Sequence, residues 1–302
     1  MKIGITGGSG FIGGYLSRAL AFRGDSVIIF SRKPGLPPSL KNQKGISLVS
    51  TQLPSKNDLE NLDVLINLSG EPVMGGRWSE TRKDLLSRSR VEYTRELLNN
   101  LKLTSKPPAT FIAGSAIGFY GMHTDATLSF DESSSPGDDF LSKLCIEWEK
   151  ESLVAEGLGI RTCLLRTGIV LSPESGALAQ MLPPFRAFVG GPIGSGKQVM
   201  SWIHIEDMVN SILFLIDNAV TKGVFNVTSP EPVTNEDFSQ KLAKTINRPC
   251  FMKVPSFAIE ALYGEGANVV LLGQKVYPKR LEEEGFKFKF KDLGECLRNL
   301  LL

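Results

Sequence analysis

Histidine and cysteine are scarce in this chain of 302 residues, and neither is clustered. The two histidines, His123 and His204, stand at no spacing that links them to a nucleophile or to further ligands. That argues against zinc hydrolysis and against a Ser-His-Asp triad. The four cysteines, Cys145, Cys163, Cys250 and Cys296, are too widely spaced for a metal cluster or a disulfide framework. They are expected as buried filler in a reducing, cytoplasmic setting, and no metal site is expected. Excess charge is missing too: 34 basic residues against 32 acidic ones leave a net +2. Neither a nucleic acid nor a membrane surface is therefore expected as a partner. No apolar stretch reaches the length of a membrane span. The apolar N-terminus is broken by glycines and lacks the basic start and long apolar centre of a secretion signal. A hydrophobic content of 42% suits a globular chain, long enough for one large or two unequal domains.

What is present is concentrated at the N-terminus. Lys2–Thr6 reads as a strand, Gly7, Gly10 and Gly13 follow at three-residue spacing, and Phe11, Ile12, Tyr15, Leu16, Ala19 and Leu20 form an apolar helical stripe. A strand, a glycine turn and a helix start make a pyrophosphate site. Glycine permits positive φ and close backbone approach, and the helix start offers free N–H groups and a positive dipole end. Gly7, Gly10, Phe11, Ile12 and Gly13 are the candidate pyrophosphate residues. Past the second strand, an acid would hold the ribose 2′-OH of NAD and a base would accommodate the 2′-phosphate of NADP. Ser31-Arg32-Lys33 stands there, with no acid. Arg32 and Lys33 therefore point to NADP, with NADPH expected over NADH.

The remaining pattern alternates. Strands are expected at Lys2–Thr6, Ser26–Phe30, Ile46–Val49, Val64–Asn67, Thr110–Gly114 and Arg161–Arg166. Helices are expected at Phe11–Arg23, Thr81–Leu101, Phe140–Glu156 and Ile205–Asn218. This predicts an α/β fold: a Rossmann-type, doubly wound parallel sheet covered by helices on both faces. Residues 1–248 form the expected dinucleotide-binding domain, with a proline- and glycine-rich excursion around 172–200 that shapes a pocket. Residues 249–302, with helical patterns at Ser256–Tyr263, Pro278–Glu284 and Leu293–Leu300, form a smaller, partly discontinuous substrate domain.

Four segments in order resemble the extended short-chain dehydrogenase/reductases, the NAD(P)-dependent epimerase/dehydratase family. They are Thr6-Gly-Gly-Ser-Gly-Phe-Ile-Gly13, Val64-Leu-Ile-Asn-Leu-Ser-Gly70, Gly114-Ser-Ala-Ile-Gly-Phe-Tyr-Gly121 and Leu164-Leu-Arg-Thr-Gly-Ile-Val-Leu171. Gly70-Glu-Pro-Val, Arg77-Trp78, Ser87-Arg-Ser-Arg90, Met181-Leu-Pro-Pro-Phe185, Ser201-Trp-Ile-His-Ile205 and Gln274-Lys-Val-Tyr-Pro-Lys-Arg280 are similar to its atypical branch. That branch is called epimerase family or cell-division-inhibitor-like, and it has a small C-terminal domain of its own. The resemblance implies hydride exchange on a small polar substrate, such as a nucleotide sugar. It implies Ser69, Gly70 and Glu71 along the cofactor path and a possible homodimer through Thr81–Leu101 and Phe140–Glu156. A second implied reading is a non-catalytic NADP(H)-binding regulator that acts through partners.

Catalytic relatives carry Tyr-x-x-x-Lys after the fifth strand; here the segment reads Asp138-Asp139-Phe140-Leu141-Ser142-Lys143-Leu144. Aligning Lys143 with the lysine puts Asp139 at the tyrosine position, as a proton partner or as a helix-start residue favoured by the dipole. The other register pairs Phe140 with Leu144. Ser115 is the candidate catalytic serine, although it lies five residues before Tyr120 and Ala116 holds the usual place. Tyr120 is expected in packing. Arg77, Arg88 and Arg90 either bind an anion or decorate a solvated face. His204 is expected in a structural hydrogen bond.

Overall fold

The computed structural model describes all 302 residues. Seven parallel strands form the central sheet: β1 (Lys2–Thr6), β2 (Ser26–Ser31), β3 (Ile46–Ser50), β4 (Val64–Asn67), β5 (Thr110–Ala116), β6 (Arg161–Thr167) and β7 (Gly223–Val227). Their spatial order is β7-β6-β5-β4-β1-β2-β3. Chain direction across the sheet reverses between β1 and β4, where the crossovers leave a crevice at the carboxyl ends of the strands. The doubly wound expectation holds for six strands. β7 was not among those expected; it pairs outside β6, in register from Gly223 opposite Cys163 to Val227 opposite Thr167.

The helices are α1 (Phe11–Phe22), α2 (Glu80–Ser87), α3 (Tyr93–Leu101), α4 (Phe140–Leu153), α5 (Gly176–Arg186), α6 (Ile205–Asp217), α7 (Asn235–Thr245), α8 (Ser256–Tyr263) and α9 (Leu293–Leu301), with shorter turns between. The alternation of β1 separates the two faces of the sheet. Ile3 and Ile5 enter the larger core with Leu16 and Leu20 of α1 and Met208, Ile212 and Leu215 of α6. Between them, Gly4 faces the other way, where a Cβ would lie 2.7 Å from Leu62 and 2.9 Å from Phe30. That opposite core holds Leu65, Leu97, Leu98, Leu101, Phe111 and Leu164. Each such buried side chain contributes about 1.5–3 kcal/mol relative to exposure.

The single helix expected over 81–101 is broken. A wide π turn at Arg88–Glu92 joins α2 to α3, and such turns re-aim the side chains they carry. A third core joins Leu178, Leu182 and Phe185 of α5 to Phe238 and Leu242 of α7 and to Leu293, Cys296 and Leu297 of α9. The C-terminal segment thus packs on chain from 171–243. It returns to the main body through a short parallel pairing of Lys275–Val276 with Ser129–Phe130.

Candidate functional site

The glycine turn closes tightly. Gly10 N–H donates to Gly7 O at 2.9 Å, and Gly14 N–H donates to Gly10 O at 2.8 Å. Gly7 has φ +71°, and a Cβ there would lie 2.6 Å from Leu68 O; a Cβ on Gly13 would collide with Gly7 O. Larger residues at either place would force the turn apart. Gly10 caps α1 with no side-chain bond and no acid follows in the first turn, so the free N–H groups and positive dipole end stay open. Phe11 stands against Gly176, where a Cβ would come within 2.9 Å of its ring, and Ile12 packs on the larger core. This backbone cradle, which side chains would fill, fits a dinucleotide pyrophosphate.

At the same mouth, Ser9 Oγ and Ser31 Oγ lie 3.2 Å apart, and Lys33 N–H donates to Ser31 Oγ at 3.2 Å. Arg32 is 74% exposed, with Nη2 at 3.2 Å from Glu71 Oε1. The end of β4 is fixed from below. Thr6 Oγ1 donates to Asn67 Oδ1 at 2.6 Å, Asn67 Nδ2 donates to Thr94 Oγ1 at 3.0 Å, and Trp148 Nε1 donates to the same Thr94 oxygen at 3.1 Å. Ser69 N–H donates to Asn67 Oδ1 at 3.3 Å. Gly70 backs onto the Arg90 guanidinium, and Glu71 N–H donates to Ser89 Oγ at 3.2 Å. Gly7, Gly10, Gly13, Arg32, Lys33, Ser69, Gly70 and Glu71 thus line one crevice at the ends of β1, β2 and β4.

The three expected catalytic residues, Asp139, Lys143 and Ser115, stand in different surroundings. Asp139 is the N-cap of α4. Its Oδ1 accepts from Ser142 N–H at 2.9 Å and its Oδ2 from Met122 N–H at 2.8 Å. Lys143, on the first turn of α4, is exposed. Ser115 is buried and donates to Glu149 Oε1 at 2.6 Å. Glu149 in turn receives Arg166 Nε and Nη2, each at 2.8 Å, and Arg166 Nη1 donates to Tyr120 OH at 3.0 Å. Tyr120 donates to Asn226 Oδ1 at 2.7 Å, and burial pushes its phenol up to about 12. Tyr120 therefore packs, as expected, and is no substitute acid at neutral pH.

The i, i+4 pair of α4 that meets the end of β5 is Leu141 and Cys145, in neither register expected from the sequence. A Cβ on Gly118 would lie 3.2 Å from Leu141 and 3.8 Å from Cys145 Sγ, and Cys145 donates to Ala116 O at 3.7 Å. Burial pushes the Cys145 thiol up to about 12. Ala116, Leu141 and Cys145 offer no proton carrier near neutral pH.

Beside them lies a cavity of about 160 Å³, lined by the apolar Trp78, Met122, Phe140, Leu141, Val269 and Leu272 and by the polar Asp139, Glu265 and Asn268. The C-terminal segment holds its outer wall: Trp78 N–H donates to Tyr263 O at 3.1 Å, Arg77 Nη1 to Ala261 O at 2.5 Å, and Lys83 pairs with Glu265 at 2.5 Å. His204 is structural, as expected. It caps α6 through Glu206 N–H to Nδ1 at 2.9 Å, donates from Nε2 to Asn299 Oδ1 at 3.1 Å and stacks on Phe290.

Comparison with known proteins agrees with the fold. The family model described as NAD dependent epimerase/dehydratase family matches residues 3–228, and a domain of unknown function, DUF1731, matches residues 254–300. The epimerase family protein SDR39U1 homolog, chloroplastic, of Arabidopsis thaliana is 38% identical over 100% of this chain and 87% of its own length. Epimerase family protein YfhF of Bacillus subtilis is 36% identical, covering 100% of this chain and 98% of its own. The crystal structure of human epimerase family protein SDR39U1 (isoform 2) with NADPH superposes at a TM-score of 0.87, with 34% identity and 99% of each chain covered. A UDP-N-acetylglucosamine 4-epimerase from Methanobrevibacter ruminantium shares the fold at a TM-score of 0.79, 16% identity, and 99% and 96% of the two chains. The chain belongs to the NAD dependent epimerase/dehydratase family, in the branch of epimerase family proteins that carry a DUF1731 segment at the C-terminus.

Proposed function

We propose that this protein binds NADP(H) and exchanges hydride with a small, largely uncharged substrate held in the cavity between α4 and the C-terminal segment. The observation that carries the reading is the open glycine cradle with Arg32 and Lys33 at its mouth. Gly7, Gly10 and Gly13 would take the pyrophosphate, and the two cations the 2′-phosphate. The solved SDR39U1 relative with NADPH supports the same choice of cofactor. When bound, NADPH supplies the hydride chemistry, and this chain supplies orientation and a dry wall.

The cavity favours a different substrate from the nucleotide sugar that the resemblance implies. Its lining is mostly apolar and includes two carboxylates. A diphosphate would meet like charge there, at a cost of several kcal/mol on general grounds. Trp78, Phe140 and Leu141 would instead hold a ring-sized apolar body. The proton would come from water or from the substrate itself, because Ala116, Leu141 and Cys145 carry none.

That same trio favours a second reading, in which the protein binds NADP(H) without turnover and acts through partners. Incubation with NADPH deuterated at the transferring position, in a deproteinised cell extract, separates the two. The first reading predicts deuterium in a small metabolite, lost in a Leu141→Arg variant that fills the cavity. Deuterium retained wholly in NADPH supports the second.

A further inference from the structure

The cavity beside α4 carries charge of one sign. Two of its nine lining residues are carboxylates, Asp139 and Glu265, and none is a lysine, arginine or histidine. Asp139 accepts from Met122 N–H at 2.8 Å, Ser142 N–H at 2.9 Å and Ser142 Oγ at 3.2 Å. These donors are uncharged, so they satisfy its oxygens and leave its charge unpaired. Glu265 is half exposed and pairs with Lys83 at 2.5 Å, but Lys83 also meets Glu80 at 3.4 Å. That lysine is shared between two acids. Arg77 is exposed and donates to Ala261 O.

The apolar lining suits a cation as well. Trp78 and Phe140 meet edge to face, with ring centres 5.3 Å apart at 75°. The Trp78 indole N–H is already spent on Val73 O, at 3.0 Å. Phe140 lies under one ammonium group, Lys83 Nζ, at 5.5 Å from its ring centre. Aromatic faces attract cations, most strongly where water is excluded. The volume, about 160 Å³, is close to that of an apolar cavity of about 150 Å³ that takes benzene. One small ring fits.

Proton supply narrows the chemistry. Reduction of a ketone or aldehyde places negative charge on oxygen, which needs hydrogen-bond donors and then a proton. The two carboxylates would repel that charge. Ser115 and Tyr120 give their hydroxyl protons to Glu149 and Asn226 instead. A protonated imine needs no such donor. It carries its own proton on nitrogen, and hydride cancels its positive charge without creating a negative one.

We propose that the substrate is a small cyclic imine, bound as its iminium ion with the ring against Trp78, Phe140 and Leu141 and the charged N–H toward Asp139 and Glu265. The inference rests on the hydride-exchange reading above. The imine carbon gains a C–H bond to the hydride given up by NADPH, and the C=N π pair becomes the lone pair on nitrogen. The products are a neutral secondary amine and NADP+, and water protonates the amine on release. Nearby carboxylates favour the protonated imine, the form that accepts hydride, over the neutral one.

The test begins with binding, in the absence of cofactor. Two rings of the same shape are titrated into the full chain at neutral pH: piperidine, which is then an ammonium ion, and tetrahydropyran, its neutral ether analogue. Binding is read by NMR at the Trp78 indole N–H, assigned with Trp78→Phe. Piperidinium is expected to bind about tenfold or more tightly than tetrahydropyran, the worth of one charge-assisted contact. Glu265→Gln and Asp139→Asn should each narrow that ratio about threefold, and the double variant should bring it near one. Melting curves confirm that each variant is folded. NADPH deuterated at the transferring position is then offered with piperideine, the imine of the same ring, or with cyclohexanone, a ketone of the same size. Deuterium is expected in piperidine and not in cyclohexanol. Equal affinity for the two rings, a preference that survives the double variant, or deuterium in cyclohexanol rather than piperidine overturns the proposal. If deuterium enters a metabolite of the cell extract but never piperidine, the imine falls and the hydride-exchange reading stands. If it enters no metabolite at all, that reading falls instead.

Discussion

Glu149 grips Arg166 with both carboxylate oxygens, at 2.8 Å each, and both side chains are buried. Burial works against the Arg166 charge, yet its hydrogen bond and attraction to Glu149 carry the net direction upward. The pair joins α4 to β6, and through Ser115 and Tyr120 it reaches β5 and β7. The candidate catalytic serine, Ser115, and the packing residue Tyr120 are both hydrogen-bonded into this network. Glu149→Gln leaves a buried guanidinium without its counter-charge and should cost about 3–5 kcal/mol in urea unfolding. Replacing both partners, as Glu149→Leu with Arg166→Met, should recover much of that loss. Ser115→Ala should cost about 1–2 kcal/mol and leave NADPH affinity unchanged.

Asp139 gives a sharper contrast between capping and catalysis. Asparagine keeps the acceptor that receives Ser142 N–H, and alanine removes it. Asp139→Ala should therefore lose about 1–2 kcal/mol of stability, and Asp139→Asn less, since it gives up only the bond that Oδ2 accepts from Met122 N–H. A catalytic carboxylate would instead make Asp139→Asn as inactive as Asp139→Ala. Thermal melts and any measured turnover, run on the two variants side by side, decide between these roles.

His204 predicts a dependence on pH. Burial is the largest influence on it and lowers its pKa to about 4, against the upward pull of Asn299 and Glu206. The unfolded chain takes up this proton near pH 6.5, and the folded chain resists it until about 4. Stability is therefore fully present above pH 6.5 and falls as the pH drops toward 4. The expected loss between pH 7.5 and 5 is about 2 kcal/mol from this group. His204→Asn, which keeps a capping side chain, should flatten that slope in urea unfolding at the two pH values.

Glu71 competes with any anion for Arg32, the two side chains being 3.2 Å apart. Glu71→Gln should free the guanidinium and tighten NADPH by about twofold to fivefold at low salt, the scale of an exposed ion pair. The gain should shrink in 0.5 M salt, where charges at this range are screened, on the order of a Debye length of 3–5 Å. Titrations at the two salt concentrations measure it.

The parts legible in the sequence are those set by neighbouring residues. The glycine turn, six of the strands and the Arg32-Lys33 pair depend on local pattern, and each stands where the pattern puts it. β7 escaped notice because Gly223-Val-Phe-Asn-Val227 is short and begins with glycine. The register of α4 was illegible for a different reason. One residue turns a helix by about 100°, and the choice between Asp139–Lys143 and Leu141–Cys145 is made by docking on Gly118 and Ala116. The π turn that aims Arg90 has no signature in composition or spacing, although Ser87-Arg-Ser-Arg90 had stood out as a cluster.

The central claim is that the crevice at the ends of β1, β2 and β4 selects NADPH. Its most direct test is the ratio of NADH to NADPH dissociation constants for the wild-type chain and for Arg32→Ala with Lys33→Ala. The account predicts a wild-type ratio of about a hundred, the worth of two charge-assisted phosphate contacts, falling to near one in the double variant through loss of NADPH affinity alone. A wild-type ratio near one, or a preference that survives removal of both cations, would contradict it.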